Sequence, residues 1–136
     1  MNPRQREFVR QRAGGRCEYC HLPQSAIPSV QFHCEHFRAR QHHGSDESSN
    51  ICFSCRQCNL YKGSNQTAYD PQTDELVTLY NPRADIWDEH FRAEDGLIIG
   101  VSPKGRATVE FLQMNLPEYV GLRELTTDFD LPTSDA

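Results

Sequence analysis

Cys55-Arg56-Gln57-Cys58-Asn59-Leu60-Tyr61-Lys62-Gly63 is the stretch on which the fold turns. Its first four residues form a CxxC turn, which sets two thiolates on one side of a metal position. Asn59 to Lys62 then reads as the start of a short helix, closed by Gly63. Upstream, Cys17-Glu18-Tyr19-Cys20 repeats the CxxC spacing. Two such turns supply four soft ligands, which is what a tetrahedral zinc ion takes. With Cys17, Cys20, Cys55 and Cys58 all engaged, no coordination position stays open, so this zinc is read as structural. Its binding would contribute folding free energy directly, because the unfolded chain lacks the site. Cys34 and Cys52 fall outside both pairs, in expected strands, and read as small buried hydrophobes.

A metal staple suits the composition. The chain has 136 residues, of which 37% are hydrophobic. A domain this small and lean buries a low fraction of its surface and often needs a metal or disulfides. Met1-Asn2-Pro3-Arg4-Gln5-Arg6 has no apolar stretch behind it, and no run approaches the length that crosses a bilayer. The expected setting is therefore the cytoplasm, away from membranes, where paired cysteines favour metal over disulfides. The net charge of -5 is unevenly spread. Residues 1–66 hold nine Arg/Lys against five acids, whereas the rest holds five against fourteen. The basic half suits a phosphate-bearing partner, while the acidic half aids solubility.

Around the cysteines the pattern predicts an α+β domain. Asn2 and Pro3 read as N-cap and first residue of a helix through Arg12, with Phe8 and Val9 as its apolar contacts and Gly14-Gly15 as its stop. Val30, Phe32 and Cys34 alternate with polar neighbours, as in a strand. Arg40 to Asn50 is a polar loop, and Ile51 to Ser54 a second strand. Beyond Asn65 the pattern predicts strands at Glu75–Tyr80 and Leu97–Val101, a helical turn at Ile86–Phe91, and helices at Thr108–Met114 and Pro117–Leu125. The acidic tail from Thr126 reads as frayed.

Between the two CxxC pairs lie Glu35-His36-Phe37 and Asn50-Ile51, and Asn59 follows the second pair. This ordered set, over roughly residues 4–66, resembles the HNH endonuclease family, also described as the ββα-metal or His-Me finger. The resemblance implies a ββα-metal nuclease core with a treble-clef-like four-cysteine zinc site. One strand would carry Glu35 and His36, and the helix after the second CxxC would carry the metal-binding Asn59. Asn50 would fix the loop that orients His36 without binding metal. The loop departs from the family's usual pattern: Phe37-Arg38-Ala39-Arg40 lacks the usual proline, and Gly44 stands where a Gly-Gly is common.

The chemistry asks for the same residue types. Phosphodiester hydrolysis at neutral pH needs an activated water, a way to neutralise the phosphate and help for the leaving oxygen. A histidine such as His36 can accept the proton. Glu35 and Asn59 offer hard oxygen ligands for Mg²⁺ or Mn²⁺. Adjacent strand residues face opposite ways, so Glu35 and His36 share a site only where the strand bends or ends. If the helix begins at Asn59, backbone N–H groups there could also meet a phosphate. Arg38, Arg40, Arg56 and Lys62 are the expected nucleic-acid contacts. His42 and His43 read as solvated loop residues, or as an added ligand or phosphate contact, and His21 and His33 carry no assigned task.

The expected function is thus a metal-dependent endonuclease, with nucleic acid, DNA in first place, as partner. Residues 1–66 form its core, and 67–136 a small α/β extension packed on that core. Within the extension, Asn81–Phe91 and Gly105–Thr108 resemble a segment seen in one bacterial group of HNH proteins. Trp87 and Phe91 there fit one helix face and the core; Arg83, Arg92 and Arg106 are weak candidates for nucleic-acid contact. A non-catalytic zinc-stabilised module that binds nucleic acid or protein is the alternative. A zinc-dependent deaminase is a further one: His33, Cys55 and Cys58 would be its ligands and Glu35 its proton shuttle. Against the deaminase, Ser54 stands where proline is expected, and Cys17 and Cys20 go unexplained.

Overall fold

The first helix begins where the sequence places a cap. The Asn2 side chain accepts a hydrogen bond from Gln5 N, and the Gln5 side-chain oxygen accepts one from Asn2 N, so helix α1 (Pro3–Arg12) starts on a reciprocal cap. Gly14 and Gly15, both at positive φ, end it. Val9 is buried under α1, but Phe8 is exposed, because the helix contributes only a narrow apolar stripe. Arg12 ties α1 to the core by donating to Ser48 O at 3.0 Å and Ile51 O at 2.5 Å.

This is a computed structural model, and it describes residues 1–126. The expected fraying of the tail from Thr126 falls almost wholly outside them. Strands β1 (His33–His36) and β2 (Ile51–Ser54) pair antiparallel, with Glu35 opposite Cys52 and His36 opposite Ile51. Helix α2 (Arg56–Lys62) follows at once and packs on β1, completing a ββα unit. β1 is shorter than the alternation predicts: Val30 and Phe32 precede it in a loop held by the Gln24 side chain.

Two further antiparallel pairs follow, β3 (Thr67–Tyr69) with β4 (Leu76–Thr78), and β5 (Phe91–Glu94) with β6 (Leu97–Gly100). Helices α3 (Pro103–Phe111) and α4 (Pro117–Glu124) complete the described architecture, which is α+β. α3 starts five residues before the expected helix. Ser102 is its N-cap, accepting from Gly105 N at 2.9 Å, and Pro103 takes the first position. Gly105 sits so close to the 90s segment that a Cβ would lie 1.9 Å from His90 O, so α3 docks only through glycine.

One hydrophobic cluster joins the two halves, from Val9, Tyr19 and Leu22 to Trp87, Phe91, Ile98 and Leu112. Trp87 and Phe91 are core residues, as expected, but they lie on a short 3-10 turn and on β5, not on one helix. Trp87 donates to Tyr19 O at 2.8 Å, inside the first CxxC turn, and stacks on His21 at 3.9 Å. Arg83 and Arg106, the weak candidates for nucleic-acid contact, are partly buried and tied into the fold. Arg83 pairs with Glu18, whose other oxygen caps Phe53 N, and Arg106 grips the buried Asp70 with two hydrogen bonds of 3.0 and 2.8 Å. Arg92 is exposed beside Glu94. No helix among the described residues is long and apolar enough to cross a membrane.

Candidate metal centre and active site

The four cysteines of the two CxxC turns converge. The Sγ atoms of Cys17, Cys20, Cys55 and Cys58 all lie within 4.8 Å of one another, in a fully buried position. Both turns have the same local geometry: Cys20 N donates to Cys17 Sγ at 3.5 Å, and Cys58 N to Cys55 Sγ at 3.4 Å. Backbone donors aimed at sulfur favour the thiolate, the form that binds metal. Cys20 Sγ and Cys55 Sγ stand 3.8 Å apart. Metal–sulfur bonds of about 2.3 Å, the zinc–thiolate value, give a tetrahedron with edges of roughly this length. The set therefore fits a four-coordinate ion. His33 is exposed on β1 and stands outside the cluster, so the ligands of the deaminase pattern are not assembled. Cys52 is buried, as expected of a small hydrophobe, but its thiol also contacts the Tyr19 hydroxyl and the Glu35 carboxylate.

Cys55 also caps α2, so that helix begins at Arg56 rather than at Asn59. Asn59 therefore lies in mid-helix, and its backbone N–H is spent on Cys55 O at 3.0 Å. A phosphate contact through the helix N-terminus at Asn59 is excluded. Its side chain is half-exposed, with no hydrogen-bond partner among the described residues. Arg56, at the first position of α2, is exposed.

Lys62, one turn after Asn59, lies nowhere near solvent. It is completely buried, donates to Phe37 O at 2.7 Å and sits over the Phe37 ring at 4.9 Å. The expectation of a phosphate contact at Lys62 is thus overturned. The side chain runs inward beneath the end of β1, where it satisfies a buried carbonyl. Its Nζ also approaches Glu35 Oε2 at 3.9 Å.

Glu35 faces the same interior. Its Oε1 accepts from the Tyr19 hydroxyl at 2.7 Å and lies 3.4 Å from Cys52 Sγ. Burial pushes the Glu35 carboxyl up from its ordinary range, against the pull of the Lys62 charge and these hydrogen bonds. Oε2 has no hydrogen-bond donor within ordinary distance, since Lys62 stands off at 3.9 Å. Glu35 Oε2, ion-paired with Lys62 but without a hydrogen bond, and the Asn59 amide are thus the hard oxygen donors left without a hydrogen-bond partner among the described residues. Mg²⁺ accepts such a sparse protein set, because it retains several of its waters.

His36 ends β1 on the other side, and that end lets neighbours 35 and 36 serve different tasks. Its side chain is 18% exposed, and Nε2 lies 2.7 Å from Asp46 Oδ1. Arg40 Nε reaches the same oxygen at 2.9 Å. The hydrogen bonds from His36 and then Arg40 hold the Asp46 carboxyl below the usual carboxylate range. Arg40, expected on nucleic acid, is exposed and also pairs within the loop, and Asp46 is a site residue the sequence reading passed over. Asn50 ties the loop together: it accepts from Arg38 N at 3.0 Å and donates to Arg38 O at 3.0 Å and Ser45 O at 2.7 Å. Gly44 sits in the crossing, where a Cβ would stand 1.7 Å from Arg38 O. Arg38 and His42 are exposed on the rim of an open polar groove of about 650 Å³, faced by Asn65 and Gln66.

Residues 17–65 match the family model described as HNH endonuclease. The matched segment runs from the first cysteine of the cluster, through His36 and Asn50, to just past α2. No curated protein and no solved structure matches the chain.

Proposed function

Taking residues 17–65 as an HNH endonuclease domain, we propose that this protein is a metal-dependent endonuclease that hydrolyses phosphodiester bonds, in DNA first of all. The observation that supports this best is His36 at the end of β1, beside a loop that Asn50 pins with three hydrogen bonds, two to Arg38 and one to Ser45. In this reading His36 is the general base that takes a proton from the attacking water. Asn50 holds the His36 loop and touches no metal. Glu35 Oε2 and the Asn59 amide oxygen would hold Mg²⁺ or Mn²⁺. When bound, that ion supplies positive charge to the phosphate and the leaving oxygen.

Tyr19 orients the Glu35 carboxylate by donating to Oε1, which leaves Oε2 for the ion. Arg38, Arg40 and Arg56 present exposed guanidinium groups to the phosphate backbone, Arg40 while also paired with Asp46, whereas Lys62 serves the architecture of the site. Cys17, Cys20, Cys55 and Cys58 hold zinc, which closes the core and does no chemistry. The same reading takes residues 67–126 as an extension packed on the nuclease core through Trp87–Tyr19, Arg83–Glu18 and Gln57–Gln113.

The test is cleavage of supercoiled plasmid, and of single- and double-stranded oligonucleotides, by protein washed with chelator until only zinc remains. Nicking or linearisation on adding Mg²⁺ or Mn²⁺ is the expected result. The burial of Glu35 also suits a second reading, a zinc-stabilised binding module without catalysis. That reading gains if the folded, zinc-loaded protein binds these nucleic acids but cuts none of them under any divalent metal.

A further inference from the structure

We propose that Asp46 is the positioning residue of His36: it selects the ring tautomer and leaves Nδ1 as the proton-accepting atom. The inference rests on the nuclease reading above and adds a residue to it. Asp46 lies ten positions from His36, yet its Oδ1 meets His36 Nε2 at 2.7 Å. A carboxylate can only accept, so Nε2 must carry the hydrogen in this pair. A neutral imidazole has one N–H, and the other nitrogen is then the base. The second ring nitrogen of His36 has no partner among the described residues.

Two features make the contact more than a passing surface pair. Asp46 is itself oriented, since Arg40 Nε donates to the same oxygen at 2.9 Å and keeps a guanidinium charge beside it. The segment that carries Asp46 is also fixed at both ends. Before it, Asn50 Nδ2 donates to Ser45 O at 2.7 Å and Gly44 N to Ala39 O at 3.0 Å; after it, Asn50 N donates to Glu47 O at 2.9 Å. Asn50 therefore serves His36 indirectly, by placing Asp46. When the ring accepts a proton from water, the imidazolium that forms stands against a carboxylate, so the developing charge is stabilised where it appears. No atom is transferred to Asp46; it orients and stabilises only.

The experiment compares wild type with Asp46→Asn and Asp46→Ala, using steady-state cleavage together with ¹⁵N NMR of the His36 ring at a pH where the ring is neutral. Asp46 is 70% exposed, so the effect belongs at the low end for an orienting partner, about tenfold in kcat for Asp46→Ala with KM changed less than about twofold. The NMR should show Nε2–H in wild type and a mixture of tautomers in Asp46→Ala. A kcat within twofold of wild type, or the same tautomer in both proteins, overturns the proposal. A wild type that cuts no substrate counts against the nuclease reading instead. The ring spectrum then still decides whether Asp46 sets the tautomer.

Discussion

Replacing Lys62 with methionine separates the sequence's view of this residue from the structure's. From sequence, Lys62 is an exposed cation at the end of a short helix, and its loss should weaken nucleic-acid binding. In the fold it is wholly buried, with Nζ on Phe37 O at 2.7 Å and 3.9 Å from Glu35 Oε2. Lys62→Met keeps most of the volume, so a large cavity term does not arise. What is lost is a charge-assisted hydrogen bond, about 1.5–3 kcal/mol, and the compensation of a buried carboxylate. Glu35 can relieve part of the second cost by taking up a proton, since burial already pushes its carboxyl up. A net loss of about 2–3 kcal/mol follows, or roughly 8–12 °C in Tm for a chain of this size. The assay is urea and thermal unfolding of zinc-loaded protein, repeated for Glu35→Gln and for the double variant. The double-mutant cycle should show coupling of about 0.5 kcal/mol or more. A Lys62→Met protein within about 0.5 kcal/mol of wild type, with nucleic-acid affinity reduced instead, would refute the buried placement.

Cys58→Ser should abolish cooperative unfolding at neutral pH, and zinc release from wild type by a strong chelator should red-shift the emission of Trp87, the single tryptophan, because its ring is anchored on Tyr19 O inside the first CxxC turn; zinc and fluorescence titrations check both. Gly44→Ala should open the Arg38 crossing and lower cleavage by about tenfold or more while zinc content stays at one per chain, since a Cβ there meets Arg38 O at 1.7 Å. The Arg106 guanidinium holds Asp70 well below the usual carboxylate range. A depressed folded pKa contributes stability above the unfolded value, near 4, that is lost as pH falls. The Asp70→Asn protein should therefore show a flatter acid limb in its stability-against-pH curve than wild type, measured by urea unfolding from about pH 6 downward.

What was legible in the sequence was local. The CxxC pairs read correctly because ligand spacing within a turn is a property of four consecutive residues. The bounds of α1 followed from Asn2-Pro3 and Gly14-Gly15, and β2 from its apolar run. Misses arose where a side chain's partner was distant or its role unusual. α2 begins at Arg56 because Cys55, a metal-type ligand, also serves as the N-cap, which cysteine rarely signals. Lys62 and Asp46 look like ordinary surface charges. Their partners, Phe37 O and His36, are reached only through the packing of α2 on β1 and the closure of the 38–50 loop. β3 and β5 are three and four residues long, and they pair with neighbours whose alternation is no stronger than that of the loops around them.

In the nuclease reading, His36 performs the chemistry on a fold that does not depend on it. His36→Ala should retain one tightly bound zinc and the wild-type stability within about 1 kcal/mol, since the side chain makes one hydrogen bond to an exposed carboxylate. With Mg²⁺ or Mn²⁺ and supercoiled plasmid, wild type should nick or linearise the DNA, and the variant should fall by about 10²-fold or more. Cleavage by His36→Ala at the wild-type rate would contradict the account.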